Sequence, residues 1–112
     1  MNSAGARTEL VTFRRETPTR RDGGGASVSV TDLGQAWASV TWARGGEEDR
    51  QGAVREIAIY KFRVLSAAAE ALGITSSDRI VWNGETYNIR ERPRRLITSP
   101  ETEIVAETGV TL

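Results

Sequence analysis

Short segments in which apolar and polar residues alternate constrain the fold of this chain more than any other feature of its sequence. The longest runs from Ala53 to Leu65, where Tyr60 and Phe62 alternate with Lys61 and Arg63. A period of two residues is typical of a β-strand with one buried face. The same pattern predicts strands over Thr8 to Arg15, Ala26 to Val30, Gln35 to Ala43, Arg79 to Trp82, Glu85 to Arg92 and Glu101 to Thr108, with Leu96 and Ile97 as a short edge segment.

Two local signals predict a tight turn and a helix. Asn83 and Gly84 stand between two strand segments, and this dipeptide tolerates the positive φ angles of a two-residue hairpin turn. The segment from Ser66 to Leu72 is rich in alanine and predicts a short helix, with Ser66 as its N-cap and Gly73 as its C-terminal stop.

The remaining segments are predicted to be turns and loops. Asp32 and Gly34 indicate a turn between two strands. The segment from Glu16 to Gly25, which ends in three glycines, and the polar segment from Arg44 to Gly52 have the composition of flexible loops. The glycine tract lacks the lysine and helix start of a phosphate-binding loop, so a flexible connector is the better interpretation.

Together these elements predict an all-β fold: a small antiparallel β-barrel of six or seven strands, with one short helix and long loops. A chain of 112 residues is the size of one domain, so residues 1–112 are expected to share a single core. We expect Tyr60, Phe62, Trp82 and Ile89 to lie in that core.

Composition excludes several classes of function. The chain has no Cys and no His, which removes disulfides, thiolate chemistry and the commonest general base and metal ligand. Fifteen basic residues balance fifteen acidic ones, so the molecule lacks the strong positive field of a dedicated nucleic-acid binder. No segment has the apolar length of a signal peptide or a membrane-spanning helix, and we expect a soluble protein. The sequence therefore predicts no enzyme, no cofactor and no metal site.

Two basic patches and an exposed tryptophan are the candidate contact residues. Guanidinium groups pair well with phosphates and carboxylates, so either patch could contact DNA or a protein partner, or could form a solvated face. Trp37 is predicted to face away from the core and to lie at a subunit contact or to cover a loop. The patches comprise Arg14, Arg15, Arg20 and Arg21 near the first loop, and Arg90, Arg92, Arg94 and Arg95 near Pro93.

The acidic residues suggest two further interpretations. Glu101, Glu103 and Glu107 offset the arginines in sequence, which would suit copies that meet head to tail or would stabilise the surface of one molecule. The run from Glu47 to Asp49 offers oxygen ligands to a cation but lacks the spacing of a calcium loop, so a solvated loop is favoured.

The order of these elements resembles the phage head–tail joining family, which includes head-completion, stopper and adaptor proteins. The resemblance covers nearly the whole chain. It depends on the order of five pieces, which are Leu-Val-Thr-Phe-Arg-Arg from Leu10, Gln-Ala-Trp-Ala-Ser-Val from Gln35, Arg-Gly-Gly-Glu-Glu from Arg44, Ile-Tyr-Lys-Phe-Arg-Val from Ile59, and Asp-Arg-Ile-Val-Trp-Asn-Gly-Glu-Thr-Tyr-Asn-Ile from Asp78.

The resemblance implies a non-enzymatic β-barrel in a ring of roughly six or twelve copies within a tailed phage or a phage-derived gene-transfer particle. The implied partners are a portal-side adaptor, a tail terminator or tail-completion protein, and the packaged double-stranded DNA in the channel. The implied location is the head–tail interface of the virion, after assembly in the bacterial cytoplasm. The loop that would gate the channel is formed by Gly45, Gly46, Glu47, Glu48, Asp49, Arg50, Gln51 and Gly52.

The alternatives are a tail-completion ring and an OB-like barrel that binds single-stranded nucleic acid. Two departures from the family pattern leave the stopper and the tail-completion ring both open. These are the length of the helix from Ser66 to Leu72 and the glycine tract at Gly23 to Gly25.

Overall fold

The structure is a computed structural model that describes residues 6–20, 26–50 and 53–111. In these residues it contains seven antiparallel strands and one helix. The elements are β1 (Glu9–Arg20), β2 (Ala26–Arg50), β3 (Ala53–Leu65), α1 (Ser66–Leu72), β4 (Arg79–Trp82), β5 (Glu85–Ile89), β6 (Arg94–Arg95) and β7 (Glu101–Thr111).

The sheet closes on itself, which confirms the predicted barrel. Strands pair in the order β3-β2-β1-β4-β5-β7-β6, and a further pairing of β3 with β7 completes the ring. The ring is uneven. β1 meets β4 over only Thr12 to Arg14, and β5 meets β7 at Asn88 and Ile89, whereas β2 pairs with β3 from Ala38 to Arg50.

The barrel interior is packed with apolar side chains. Phe62 is fully buried and Ile89 is buried, as predicted, while Tyr60 and Trp82 pack against the core from partly exposed positions. Ring centroids of Tyr60 and Trp82 lie 5.3 Å apart, and those of Phe62 and Tyr87 lie 5.6 Å apart, both at the steep angles that aromatic quadrupoles favour. These rings fill the interior. The other fully buried large apolar side chains are Phe13, Ile80, Ile104, Val11 and Val64.

The predicted turn at Asp32 and Gly34 is wrong, because β2 runs through this position as one strand. Phe13 pairs with Gly34 and Arg14 pairs with Asp32, so Leu33 is the extra residue of a β-bulge. Gly34 has a φ of 146°, and a Cβ atom built there would lie 2.6 Å from Cδ2 of Leu72. Glycine is thus needed for close approach of the helix, not for a chain reversal.

Both predicted long loops are also largely strand. β1 continues through Thr17 to Arg20, and residues 44–50 of β2 pair with residues 53–59 of β3. Polar composition misled the prediction because a ladder satisfies its own backbone groups whatever side chains the strands carry. Residues 21–25 and 51–52 lie outside the described part of the chain.

The helix has its predicted bounds but not its predicted cap. Gly73 adopts a left-handed φ of 67° and ends α1, as expected. The N-cap position is Leu65, with no capping side chain, because β3 runs directly into the helix. Ser66 is instead buried, and its hydroxyl lies 2.8 Å from that of Thr102 on β7.

The β4–β5 hairpin is confirmed, with φ angles of 53° at Asn83 and 81° at Gly84. β5 ends at Ile89, before the predicted Arg92. The expected edge segment at Leu96 and Ile97 is replaced by β6 at Arg94–Arg95, and Ile97 is almost fully exposed.

Candidate assembly surfaces

Two strand pairs extend past the barrel. The β1–β2 arm consists of residues 15–20 and 26–31, and no third described strand pairs with it. The β2–β3 arm consists of residues 44–50 and 53–59 and is flanked by β7 as far as the pair Arg55 and Thr111. The radius of gyration is 15.9 Å and the longest extent is 57 Å. A compact domain of this length would have a radius of about 13 Å, so the molecule is elongated.

The predicted channel segment, Gly45 to Gly52, occupies the end of the β2–β3 arm. Gly45 pairs with Ala58, and pairing continues to Arg50 and Ala53. Ala43 is the extra residue of a second bulge, between the pairs formed by Trp42 and by Arg44. Gln51 and Gly52 lie outside the described residues. The segment is therefore a paired ribbon that leaves the barrel at a bulge.

The first basic patch is divided by the fold. The Nε of Arg14 lies 2.8 Å from Oδ1 of Asp32 in an exposed ion pair across β1 and β2. Arg15 points elsewhere and binds the buried carboxylate of Asp78. Arg20 is described only in its backbone, and Arg21 lies outside the described residues. The four arginines do not form a single described cluster.

Asp78 is the centre of a network that sequence reasoning missed. Arg15 donates to its two oxygens at 2.8 and 2.9 Å, and the N–H of Thr75 donates to Oδ2 at 2.8 Å. Arg15 also donates to the carbonyl of Gly73, so the network ties β1 to the end of α1 and the start of β4. Burial alone would raise the pKa of Asp78, but hydrogen bonds from Arg15 and Thr75 hold it below its usual value.

The second basic patch is mostly engaged in ion pairs. Arg90 binds Glu107 at 2.9 Å, Arg94 binds Glu103 at 2.8 Å and Arg95 binds Glu70 at 3.3 Å. Arg92 is exposed and forms no ion pair with the side chains that the structure describes.

The acidic residues of β7 face these cations within one molecule. Glu101 binds Arg7, Glu103 binds both Arg63 and Arg94, and Glu107 binds Arg90. Of the two interpretations of this charge pattern, the structure favours a stabilised surface of one molecule.

Three of the exposed apolar side chains form a row across neighbouring strands. The row becomes evident only when the strand register is known. Trp37 pairs with Leu10 on β1, and the β2–β3 register places Leu65 at the same level on β3. Their exposures are 57%, 44% and 39%. Trp37 thus faces outward, as predicted, and three adjacent strands carry one apolar strip, which we call the Trp37 row. Trp42, which alternation places on the same face as Ala36 and Ala38, is 59% exposed and lies beside the bulge at Ala43.

Among residues 6–20, 26–50 and 53–111, no group of three or more acidic side chains is placed to hold a metal ion. No described helix is long and apolar enough to cross a membrane.

Comparisons with known proteins identify a family and, separately, a similar fold. The family model described as phage head completion protein matches residues 3–108. A search of curated proteins gives no match. Among solved structures, the fold is similar to a chain in the virion of a native gene transfer agent particle, with a TM-score of 0.73, 17% identity, and coverage of 92% of this chain and 94% of that chain. Because the family model spans nearly the whole sequence, this chain belongs to the phage head completion protein family.

Proposed function

We propose that this chain is a structural subunit of the head–tail connector that forms a ring and narrows the DNA channel with its β2–β3 arm. The observation that carries the proposal is an arm of paired strands that extends from a closed barrel in a head completion protein. The proposed location is the head–tail interface of a tailed phage or gene-transfer particle, with assembly in the bacterial cytoplasm. The proposed role involves no catalysis.

The filled barrel supports a channel between copies. Phe62 is fully buried and Tyr87 is nearly so, and their rings pack with those of Tyr60 and Trp82 inside the barrel. DNA therefore has to pass through the lumen of a ring, at some distance from each barrel. An arm that extends past the barrel is the part of the subunit best placed to reach the axis.

The pairing of the arm defines how a gate would work. A ribbon paired from Gly45 to Arg50 moves as a unit, and the bulge at Ala43 interrupts the β2–β3 ladder where the arm joins the barrel. The β3–β7 ladder continues without a shift past this level, so the arm is braced by β7 and moves only by bending β3 and β7 with it. The end of the arm carries Glu47, Glu48 and Asp49, whose charges repel phosphates and discourage adhesion of DNA.

The proposed partners bind the outer surfaces of the ring. The Trp37 row groups exposed apolar side chains of three neighbouring strands on one sheet face, and such groups are typical of protein contacts. We assign it to the portal-side adaptor or to the tail terminator, and we assign the arm to the packaged DNA.

The test is a shortened arm that preserves register. Gly46 pairs with Ile57, so residues 47–56 can be replaced by Asn-Gly, which favours a two-residue hairpin turn. We expect the variant to fold and to join particles, while tailless heads lose packaged DNA. The measurement is nuclease-resistant DNA per head, together with the amount of this protein per head.

A matched control keeps the arm and changes only its charge, through Glu47→Gln, Glu48→Gln and Asp49→Asn. If the arm acts by blocking the channel, this control retains DNA. Full retention by shortened-arm heads that contain normal amounts of the protein would reject the gate and favour a tail-completion ring. Tight, salt-sensitive binding of single-stranded DNA by the purified protein would instead favour the OB-like function.

A further inference from the structure

A groove of about 310 Å³ lies on the outer face of the barrel, away from the arm's end and from the Trp37 row. The outer faces of β3 and β7 form its floor, and residues 90–94, which cross from β5 to β6, form one wall. Lys61 and Val105 are cross-strand neighbours in the floor. Ala43 and Ile59 also line it, so the groove adjoins the base of the β2–β3 arm, where the arm joins the barrel.

The floor is apolar and the rim is basic. Ile59 is only 5% exposed although it points away from the barrel core, and Val105 beside it is half-buried. Positive charge surrounds these apolar side chains, from Lys61 beside Val105 and from Arg90, Arg92 and Arg94 on the wall. A ligand that fits both features has an apolar side chain flanked by negative charges.

The two acids in the groove do not cancel this basic character. Glu103 is 5% exposed and its carboxylate is bound by Arg63 at 3.1 Å and by Arg94 at 2.8 Å, so its charge is already neutralised. Glu91 is exposed on the wall. Lys61 and Arg92 are exposed and form no ion pair with any described side chain, so they are available to an incoming anion.

Peptide carboxylates fit the groove better than nucleic acid does. No aromatic side chain lines this groove in the described part of the chain, so bases have no surface on which to stack. An extended peptide of a few residues matches both the volume and the apolar floor.

We propose that this groove binds an extended acidic peptide segment of a partner protein, with one apolar side chain over Ile59 and Val105 and carboxylates at Lys61 and Arg92. The contact is electrostatic at its rim and weakens as salt rises.

The probe is a fluorescein-labelled peptide of alternating Glu and Leu, titrated with the full-length protein and followed by fluorescence anisotropy at low salt. We expect saturable binding that weakens at least several-fold when leucine is replaced by serine. Substitution of both Lys61→Glu and Arg92→Glu is expected to weaken binding by about tenfold or more. These two side chains are exposed, so the variant should keep its fold, which is checked by its melting temperature.

The matched control is Arg95→Glu, since Arg95 is exposed on the adjacent strand β6 but does not line the groove. We expect it to change the affinity for the probe by less than about twofold. Equal affinity of the double variant and the wild type, or no binding to the wild type, overturns the proposal. Equal affinity for the serine peptide, or tighter binding of a labelled oligothymidine at the same salt, also overturns it, the last in favour of a nucleic-acid site.

Discussion

Replacement of Asp78 by alanine tests whether its buried carboxylate holds three parts of the barrel together. The side chain is 0% exposed and accepts hydrogen bonds from Arg15 and Thr75. The substitution leaves the N–H of Thr75 and the inner side of Arg15 without their acceptor. Loss of one partner of a buried ion pair costs about 3 to 5 kcal/mol. Because Arg15 is 39% exposed and water can reach it, we expect the lower end, about 3 kcal/mol.

The control uses Arg14, the residue next to Arg15 on β1, whose partner is Asp32 on β2. Asp32 is 56% exposed, so Asp32→Ala removes an ion pair of the same chemistry from the surface. Surface pairs contribute little, and we expect a change in melting temperature of no more than about 4 °C. Urea denaturation followed by circular dichroism gives both free energies. If the two variants differ by less than about 1 kcal/mol, the Asp78 network does not stabilise the fold as argued.

The network also predicts how stability depends on pH. The pKa of Asp78 is lower in the folded state than in the unfolded chain. The ionised carboxylate therefore stabilises the fold fully above the unfolded-state pKa of about 4, and this stabilisation is lost as pH falls through the folded-state pKa. The Asp78→Asn variant has no titratable group at this position. When pH is lowered from 5, its free energy of unfolding should therefore fall less than that of the wild type. An equal fall would contradict the stabilising role of the ionised Asp78 carboxylate.

Three other substitutions have expected outcomes from the described packing. Phe62→Ala empties a fully buried site and should cost about 3 to 5 kcal/mol in urea denaturation, and melting within a few degrees of the wild type would show that the barrel tolerates the cavity. Burial, together with the hydrogen bond to Glu85, raises the pKa of Tyr87 to about 12, so the neutral phenol is favoured in the folded state. The wild type should therefore lose about 2 to 3 kcal/mol as pH rises from 10 to 12, whereas Tyr87→Phe should lose less. Gly34→Ala should lower the melting temperature because its Cβ meets Leu72, and Leu72→Ala should recover part of the loss when both are combined.

The barrel could be predicted because its signals are local. Alternation in β3 identifies the buried positions, as the burial of Phe62 and Val64 confirms. The Asn83–Gly84 turn needs only two adjacent residues with positive φ. The alanine-rich helix ends at Gly73 because this single glycine adopts a left-handed φ. In each case the sequence within a few positions decides the conformation.

The role of Arg15 could not be predicted, since it depends on a residue 63 positions away in the chain. From the sequence, Arg15 and its neighbour Arg14 are equivalent members of one basic patch. The strand places them on opposite faces, one toward Asp32 at the surface and the other toward buried Asp78. Nothing local distinguishes an arginine that contacts a partner from one that stabilises the fold.

The arms were missed for a different reason, which bears on their function. Glycine, serine and acidic residues lower strand propensity, and alternation fades where no face is buried. Residues 44–50 are nevertheless paired with β3, whose outer edge is in turn held by β7. The ladder is thus continued from the barrel by backbone pairing, which polar residues support as well as apolar ones. The polarity that hides the arm from sequence analysis is also the property that its proposed place beside DNA would require.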